Sequence, residues 1–403
     1  MGSKKTFSPF NKEELLPQEE MLAVMDKSKK FKVGILKETD KNENRTPLSQ
    51  LGVKLLIDSG ISVYIEKGAV EKASFNDLMY SDVGAEIKET KAEVLEADII
   101  LKISSFTEKE IAQLKKRHII ISAINLNTIS KSYIKSLMQK KLTAIGMELI
   151  KDNNNCYPII KSMGEIAGST SILIAAEYLS SQNGGKGEML GGIPGIKPTD
   201  VVILGAGTVG TTAAKTALGL GASVKVFDNS VSKLRKLQET IGHNVSTSFL
   251  QEELIHNSIL SADVVIGALN KNQKAGFVVR EDTVKQMKNN SVIIDISIDG
   301  GGTFETSKLT NHQKPTFVKH GVIHYCVPNI PSKVARTASY AISNILSSII
   351  LELSDNTNIA SFLRHNIGLR RGTYIYNGIL TNEYIARNLD IPFKDIDLIM
   401  AAF

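Results

Sequence analysis

The sequence predicts an α/β protein of two domains, each built on a parallel sheet and separated by a cleft, with the first domain discontinuous. Three observations lead there: a length of 403 residues, short apolar runs alternating with helical spacing, and a C-terminal tail with no strand series of its own. Single cores stop growing at roughly 250 to 300 residues, so a chain of this length splits. Its 42% apolar and 22% charged residues are typical of folded chains and rule out disorder.

Residues 1 to 30 are polar and Pro-punctuated, with one helix-like piece from Asn11 to Lys27, and read as an N-terminal arm. Lys32 to Leu36, Val63 to Glu66 and Ile99 to Ile103 follow as strands, with helical spacing between them over Leu48 to Ser59 and Tyr80 to Ala97. His118 to Ile124 and Leu142 to Met147 continue the series around a helix at Lys131 to Gln139. Such alternation predicts βαβ units and parallel strands.

Met163 to Leu179 has helical period and is closed by the glycine-rich Asn183-Gly184-Gly185-Lys186-Gly187, a linker helix and then a loop. A second strand and helix series occupies Val201 to Leu204, Ser223 to Asp228, Val264 to Ile266, Ser291 to Asp295 and Val322 to Val327. Helical spacing over Arg336 to Leu353 and a mixed tail come last. A tail without its own sheet must pack elsewhere, so residues 333–403 are expected to join residues 31–162 in the first domain, leaving 163–332 as the second.

Lys+Arg 48 against Asp+Glu 42 leaves a charge of +6, spread without the clustering a nucleic-acid partner needs. Cys156 and Cys326 lie far apart, with no metal-ligand spacing and no secretory leader before them. They suit a reducing, cytoplasmic setting without a bound metal. No uninterrupted apolar run approaches the ~18 residues of a spanning helix, so no membrane partner is expected.

The most specific local signal is Gly205-Ala206-Gly207-Thr208-Val209-Gly210, placed between the strand Val201 to Leu204 and helical spacing from Thr211 to Leu220. This is G-x-G-x-x-G in the context that gives it meaning. Gly205 allows the tight turn, Gly207 lets backbone approach a pyrophosphate, and Gly210 lets the helix pack on the strand, while free N–H groups at the helix start face the phosphates. Asp228 ends the next strand, where its carboxylate can accept from both ribose hydroxyls and repel a 2′-phosphate, favouring NAD over NADP. Lys225 and Lys233 nearby keep NADP open.

Further segments carry a resemblance. Lys41-Asn42-Glu43-Asn44-Arg45-Thr46-Pro47-Leu48 follows the first strand, and Gly191-Gly192-Ile193-Pro194-Gly195 precedes the phosphate loop. Asp295-Ile296-Ser297-Ile298-Asp299-Gly300-Gly301-Gly302 follows a late strand, and His324-Tyr325-Cys326-Val327-Pro328-Asn329-Ile330-Pro331 comes after it. Over about Lys32 to Ala386 the chain closely resembles the alanine dehydrogenase and pyridine nucleotide transhydrogenase alpha-subunit family. Val334-Ala335-Arg336-Thr337 brings it closer to alanine dehydrogenase.

The resemblance implies two Rossmann-like domains, a homo-oligomer (dimer or hexamer), NAD as cofactor and a small amino acid or 2-oxo acid as substrate. It implies oxidative deamination by hydride transfer, alanine giving pyruvate and ammonia. Arg45 would bind the substrate carboxylate, a task suited to a planar fork of donors. Lys102 would polarise the carbonyl or stabilise the carbinolamine, Glu148 would lie near the substrate, and Asp299 would support the cation network and contact the cofactor. Ala268, Leu269, Ile298 and Asn329 would line the nicotinamide half, while Gly164 stands where a small hydroxyl residue usually contacts it.

One departure matters most. In Ile121-Ser122-Ala123-Ile124-Asn125-Leu126, Asn125 stands where alanine dehydrogenases carry a His as general acid and base. An amide does not titrate near neutral pH and cannot carry the proton. His118 lies at the other end of that strand, more than ~20 Å away at ~3.3 Å per residue. Three accounts stay open: Lys102 as base with Asp299 or water completing the relay, a substrate that supplies the missing group, or a transhydrogenase-like or regulatory protein that binds NAD(H) without deaminating.

Overall fold

Runs of Val, Ile and Leu bury both faces of a strand, and in this protein they form the centres of two sheets. The computed structural model describes residues 31–126, 129–242, 245–269, 278–354 and 359–401. The N-terminal arm and its expected helix lie outside the described residues.

The first sheet contains β1 (Lys32–Ile35), β2 (Ser62–Glu66), β3 (Glu86–Lys88), β4 (Ile99–Leu101), β5 (Ile119–Ser122) and β6 (Thr143–Gly146). The second contains β7 (Asp200–Leu204), β8 (Ser223–Asp228), β9 (Ser246–Phe249), β10 (Val264–Gly267), β11 (Val292–Asp295), β12 (Thr316–Lys319) and β13 (Val322–Tyr325). From the C-terminal tail, β14 (Thr373–Tyr376) and β15 (Ile379–Leu380) return to the first sheet.

The strand order is β15-β14-β6-β5-β4-β1-β2-β3 in one sheet and β12-β13-β11-β10-β7-β8-β9 in the other. Stripped of the antiparallel additions β14, β15 and β12, both sheets run 3-2-1-4-5-6, the doubly wound nucleotide-binding order. The sheets are therefore mixed, not purely parallel as the alternation predicted. The direction in which strands are added reverses between the parallel pair β1 and β4 in one and between β7 and β10 in the other, and ligands bind at such reversals.

The helix expected over Tyr80 to Ala97 is a correction. The segment forms a helix at Asp77–Ser81, then β3, then a helix at Lys91–Val94. Thr90 and Glu93 form a reciprocal capping box there, which starts a new helix instead of continuing an old one.

The helices Pro158–Leu179 and Ala335–Ser354 join the two halves. By length and composition Pro158–Leu179 and the segment Ile330–Ser354 could each cross a membrane, although polar residues interrupt both apolar runs. Both carry core contacts here: Ser343 bonds Ser49 at 3.0 Å, Ile342, Leu346 and Ile350 are buried in the first core, and Ile172 and Ala175 lie in the second.

Candidate active site

At the reversal in the second sheet, Gly205 has φ +117°, and a Cβ there would lie 2.4 Å from the Ala268 carbonyl oxygen. A Cβ on Gly210 would lie 1.8 Å from the Gly205 carbonyl oxygen, so both positions demand glycine. Around Gly207 nothing lies within 4 Å, and the helix it opens, Thr208–Gly219, has no side-chain cap. Uncapped N–H groups beside open space form an anion cradle.

Asp228 is buried, and its carboxylate accepts from the backbone of Ala206 and of Ser230, each at 2.8 Å. It thus shapes the phosphate loop and keeps lone pairs for a ribose. Lys225 is turned to the Ser258 hydroxyl at 2.9 Å. Leu269 accepts from Ser297 at 2.7 Å, which brings the Ala268-Leu269 turn beside the turn holding Ile298. Asp295 organises that turn, accepting from Ser297, Thr303 and Ser307. Gly164 faces Thr208 and Val209 with room for a Cβ at 3.4 Å, so space does not force the loss of the hydroxyl.

Arg45 is held by Glu43, with Nε and Nη2 at 2.7 and 2.6 Å from its two carboxylate oxygens. Glu43 also accepts from Asn329 at 2.9 Å, and Arg45 Nη1 lies 3.3 Å from the Met163 sulfur. One edge of the guanidinium is therefore taken by Glu43, while the Nη1 edge meets a weak thioether acceptor. Asn329, in the left-handed region at φ 55°, donates its backbone N–H to Asp299. Burial pushes the Asp299 carboxyl above the usual range against the opposing hydrogen bond from Asn329. Arg45, Asn329 and Asp299 thus come together where the two halves meet.

Lys102 lies at the carboxyl end of β4, beside the Glu38-Thr39 segment. Its side chain is 0% exposed, with Nζ at 2.9 Å from Glu110 and 3.2 Å from Thr39. Hydrogen bonds from the Thr107 backbone and Lys102 outweigh burial and hold the Glu110 carboxyl down at about 2.

At the first sheet's reversal, the Glu38 carboxylate accepts from the backbone of Ile103 and the hydroxyl of Ser104, each at 2.5 Å. Burial lifts it to about 7. Lys72 ties this crevice to the Arg45 loop through the carbonyls of Asp40 and Glu43.

Asn125 is exposed and lines a cavity of about 180 Å³ with Ser105, Thr107 and Tyr133. Glu148 reaches the same strand end, accepting from the Ile124 N–H at 2.6 Å. His118 is buried at the far end of β5 and pushed down to about 4. Sequence reasoning missed the roles of Glu38, Glu43, Glu110 and Asp295. Only the Thr107 to Glu110 capping box spacing could have pointed to one of them.

Residues 34–167 match the domain family described as "Alanine dehydrogenase/PNT, N-terminal domain", and residues 171–383 match its C-terminal domain. The chain belongs to the alanine dehydrogenase/PNT family. Among curated relatives, alanine dehydrogenase 2 of Staphylococcus aureus strain USA300 is 38% identical over 369 residues, covering 91% of this chain and 99% of that protein. Among solved structures, an L-alanine dehydrogenase superposes with a TM-score of 0.82 at 33% identity, covering 88% and 98% of the two chains. A transhydrogenase from Sinorhizobium meliloti, at 22% identity and a TM-score of 0.75, shares the fold. Members of the alanine dehydrogenase/PNT family use NAD(H), and this chain is an NAD-binding oxidoreductase of the dehydrogenase type. The open cradle at Gly207 and the Asp228 carboxylate fit that cofactor.

Proposed function

We propose that the chain catalyses NAD-dependent oxidative deamination of a small L-amino acid, alanine giving pyruvate and ammonia. The observation that supports this reading is the hydrogen-bonded series that runs from Arg45 through Glu43 to Asn329, and from the Asn329 backbone to Asp299.

NAD, when bound by Gly205 to Gly210 and Asp228, supplies the acceptor for hydride from Cα. Arg45 binds the amino-acid carboxylate through Nη1, and Glu43 keeps the guanidinium from turning away. Asp299 orients the ammonium side. Lys102, ion-paired with Glu110, polarises the carbonyl or stabilises the carbinolamine. Ala268, Leu269, Ile298 and Asn329 bound the nicotinamide half.

The test is a screen of small L-amino acids with NAD at 340 nm. NADH formation with alanine is expected; its absence with every amino acid, in protein that binds NAD by calorimetry, rejects the reading. Asn125 at the place of the ring base favours the second reading, an NAD(H)-binding protein without deaminase activity. Gain of alanine turnover in Asn125→His from an inactive parent would favour that second reading for the natural chain. We further expect a homo-oligomer, dimer or hexamer, which sedimentation velocity reads directly.

A further inference from the structure

The last register pair between β5 and β6 is Ser122 with Gly146. Both strands end there, and the Ile124 N–H donates to Oε1 of Glu148, in the short 3-10 helix Met147–Leu149, at 2.6 Å. The carboxyl therefore lies no more than about 8 Å from the Asn125 Cα, a gap that one water spans. The second oxygen, Oε2, is buried and has no hydrogen-bond partner among the described residues. A buried carboxylate oxygen without a donor is more costly than the neutral acid in the same place.

Groups facing this carboxyl come from two other elements. Tyr133, on the helix Lys131–Gln139, and Tyr374, on β14, both sense its charge, and burial raises both phenols above their ordinary range. Beyond burial, the influences on Glu148 itself are its own backbone and that of Ile124, and no described cation acts on it. Burial therefore dominates and lifts the carboxyl to about 7. Such a group is divided between acid and base at neutral pH, as proton exchange requires.

We propose that Glu148 is the proton carrier of the site, working from behind Asn125 in place of the family's ring base. This rests on the deamination reading above. When water adds to the imine carbon a C–O bond forms and an O–H bond breaks, and the Glu148 carboxylate takes that proton through one bridging water. The Glu148 acid then returns the proton to the nitrogen; as the C–N bond breaks and ammonia leaves, the carbinol O–H bond breaks to give the C=O, and Glu148 takes that second proton and passes it to the departing ammonia, so the carboxyl is unchanged over the cycle. Asn125, whose amide both donates and accepts, holds the bridging water.

The experiment compares the full-length protein with Glu148→Gln, Glu148→Asp and the double variant Glu148→Gln with Asn125→His. Gln keeps an acceptor for Ile124 and the same volume, and thermal melting with NAD calorimetry verifies folding. The expected results are unchanged NAD affinity and at least about a hundredfold loss of alanine turnover in Glu148→Gln. The limb near pH 7 in kcat/KM should vanish, with partial recovery in Glu148→Asp and in the double variant. Infrared difference spectra, wild type minus Glu148→Gln, should show a carboxylic-acid C=O band titrating near pH 7 without turnover. Full activity with an unchanged pH profile in Glu148→Gln, or a carboxyl ionised throughout in the infrared, overturns the inference alone. A wild type inactive towards every small amino acid overturns the deaminase reading, and this use of the proton with it.

Discussion

Arg45 and Glu43 form a nearly buried pair in which one acid fixes one edge of a guanidinium while Nη1 meets the Met163 sulfur. Replacing Arg45 with Lys removes the planar fork and keeps the charge. A charge-assisted hydrogen bond contributes about 1.5–3 kcal/mol, so KM for alanine should rise roughly ten- to a hundredfold. Initial-rate kinetics across amino-acid concentrations would check this, with NAD affinity unchanged. Asp228→Ala should act differently, because it strips partners from the N–H groups of Ala206 and Ser230. Leaving those donors unpaired costs about 1–3 kcal/mol each and should weaken NAD more than alanine, which calorimetry would separate.

Among the elements, the phosphate loop is the least tolerant. In Gly210→Ala the new methyl would sit 1.8 Å from the Gly205 carbonyl oxygen. Overpacking of about 1–3 kcal/mol should weaken NAD roughly ten- to a hundredfold, while near-ultraviolet circular dichroism stays native. This loop was legible because strand, glycines and helix are contiguous in sequence, and Asp228 because it ends the next strand. The central strands were legible because burial on both faces writes itself as apolar runs.

Edge strands were not. β3 reads Glu-Ile-Lys, β9 Ser-Thr-Ser-Phe and β12 Thr-Phe-Val-Lys, polar sequences that an exposed edge permits and that no periodicity separates from loops. The pairing of Lys102 with Glu110 was equally hidden, since it crosses from a strand end to the first turn of the next helix. Glu110 closes a capping box and neutralises a fully buried ammonium at once. Glu110→Ala should therefore destabilise the protein by about 3–5 kcal/mol in urea unfolding.

For the molecule as a whole, its carboxyls pull stability in opposite directions with pH. Glu110 is depressed to about 2, so its contribution is present above the ordinary value of 4.5 and lost as pH falls towards 2. Glu38 and Glu148 are raised to about 7, so theirs is complete below 4.5 and lost as pH climbs through 7. Thermal melting should peak in mildly acidic buffer, and Glu38→Gln together with Glu148→Gln should flatten the alkaline side. The repeated strand order adds a second whole-molecule feature. The second sheet leaves its reversal open for a dinucleotide, whereas the first closes its own with the Glu38 carboxyl.

The long-range ties of the Arg45 loop set an order of events during synthesis. Asn44 and Thr46 bond Ser332 and Ser339, partners 288 and 293 positions later, and β6 meets its outer neighbour only when Thr373 to Tyr376 is made. At roughly 5–20 residues per second, a nascent chain leaves the β6 flank bare for on the order of tens of seconds after that strand emerges. During translation the first sheet is therefore the vulnerable half, while the nucleotide half can already close.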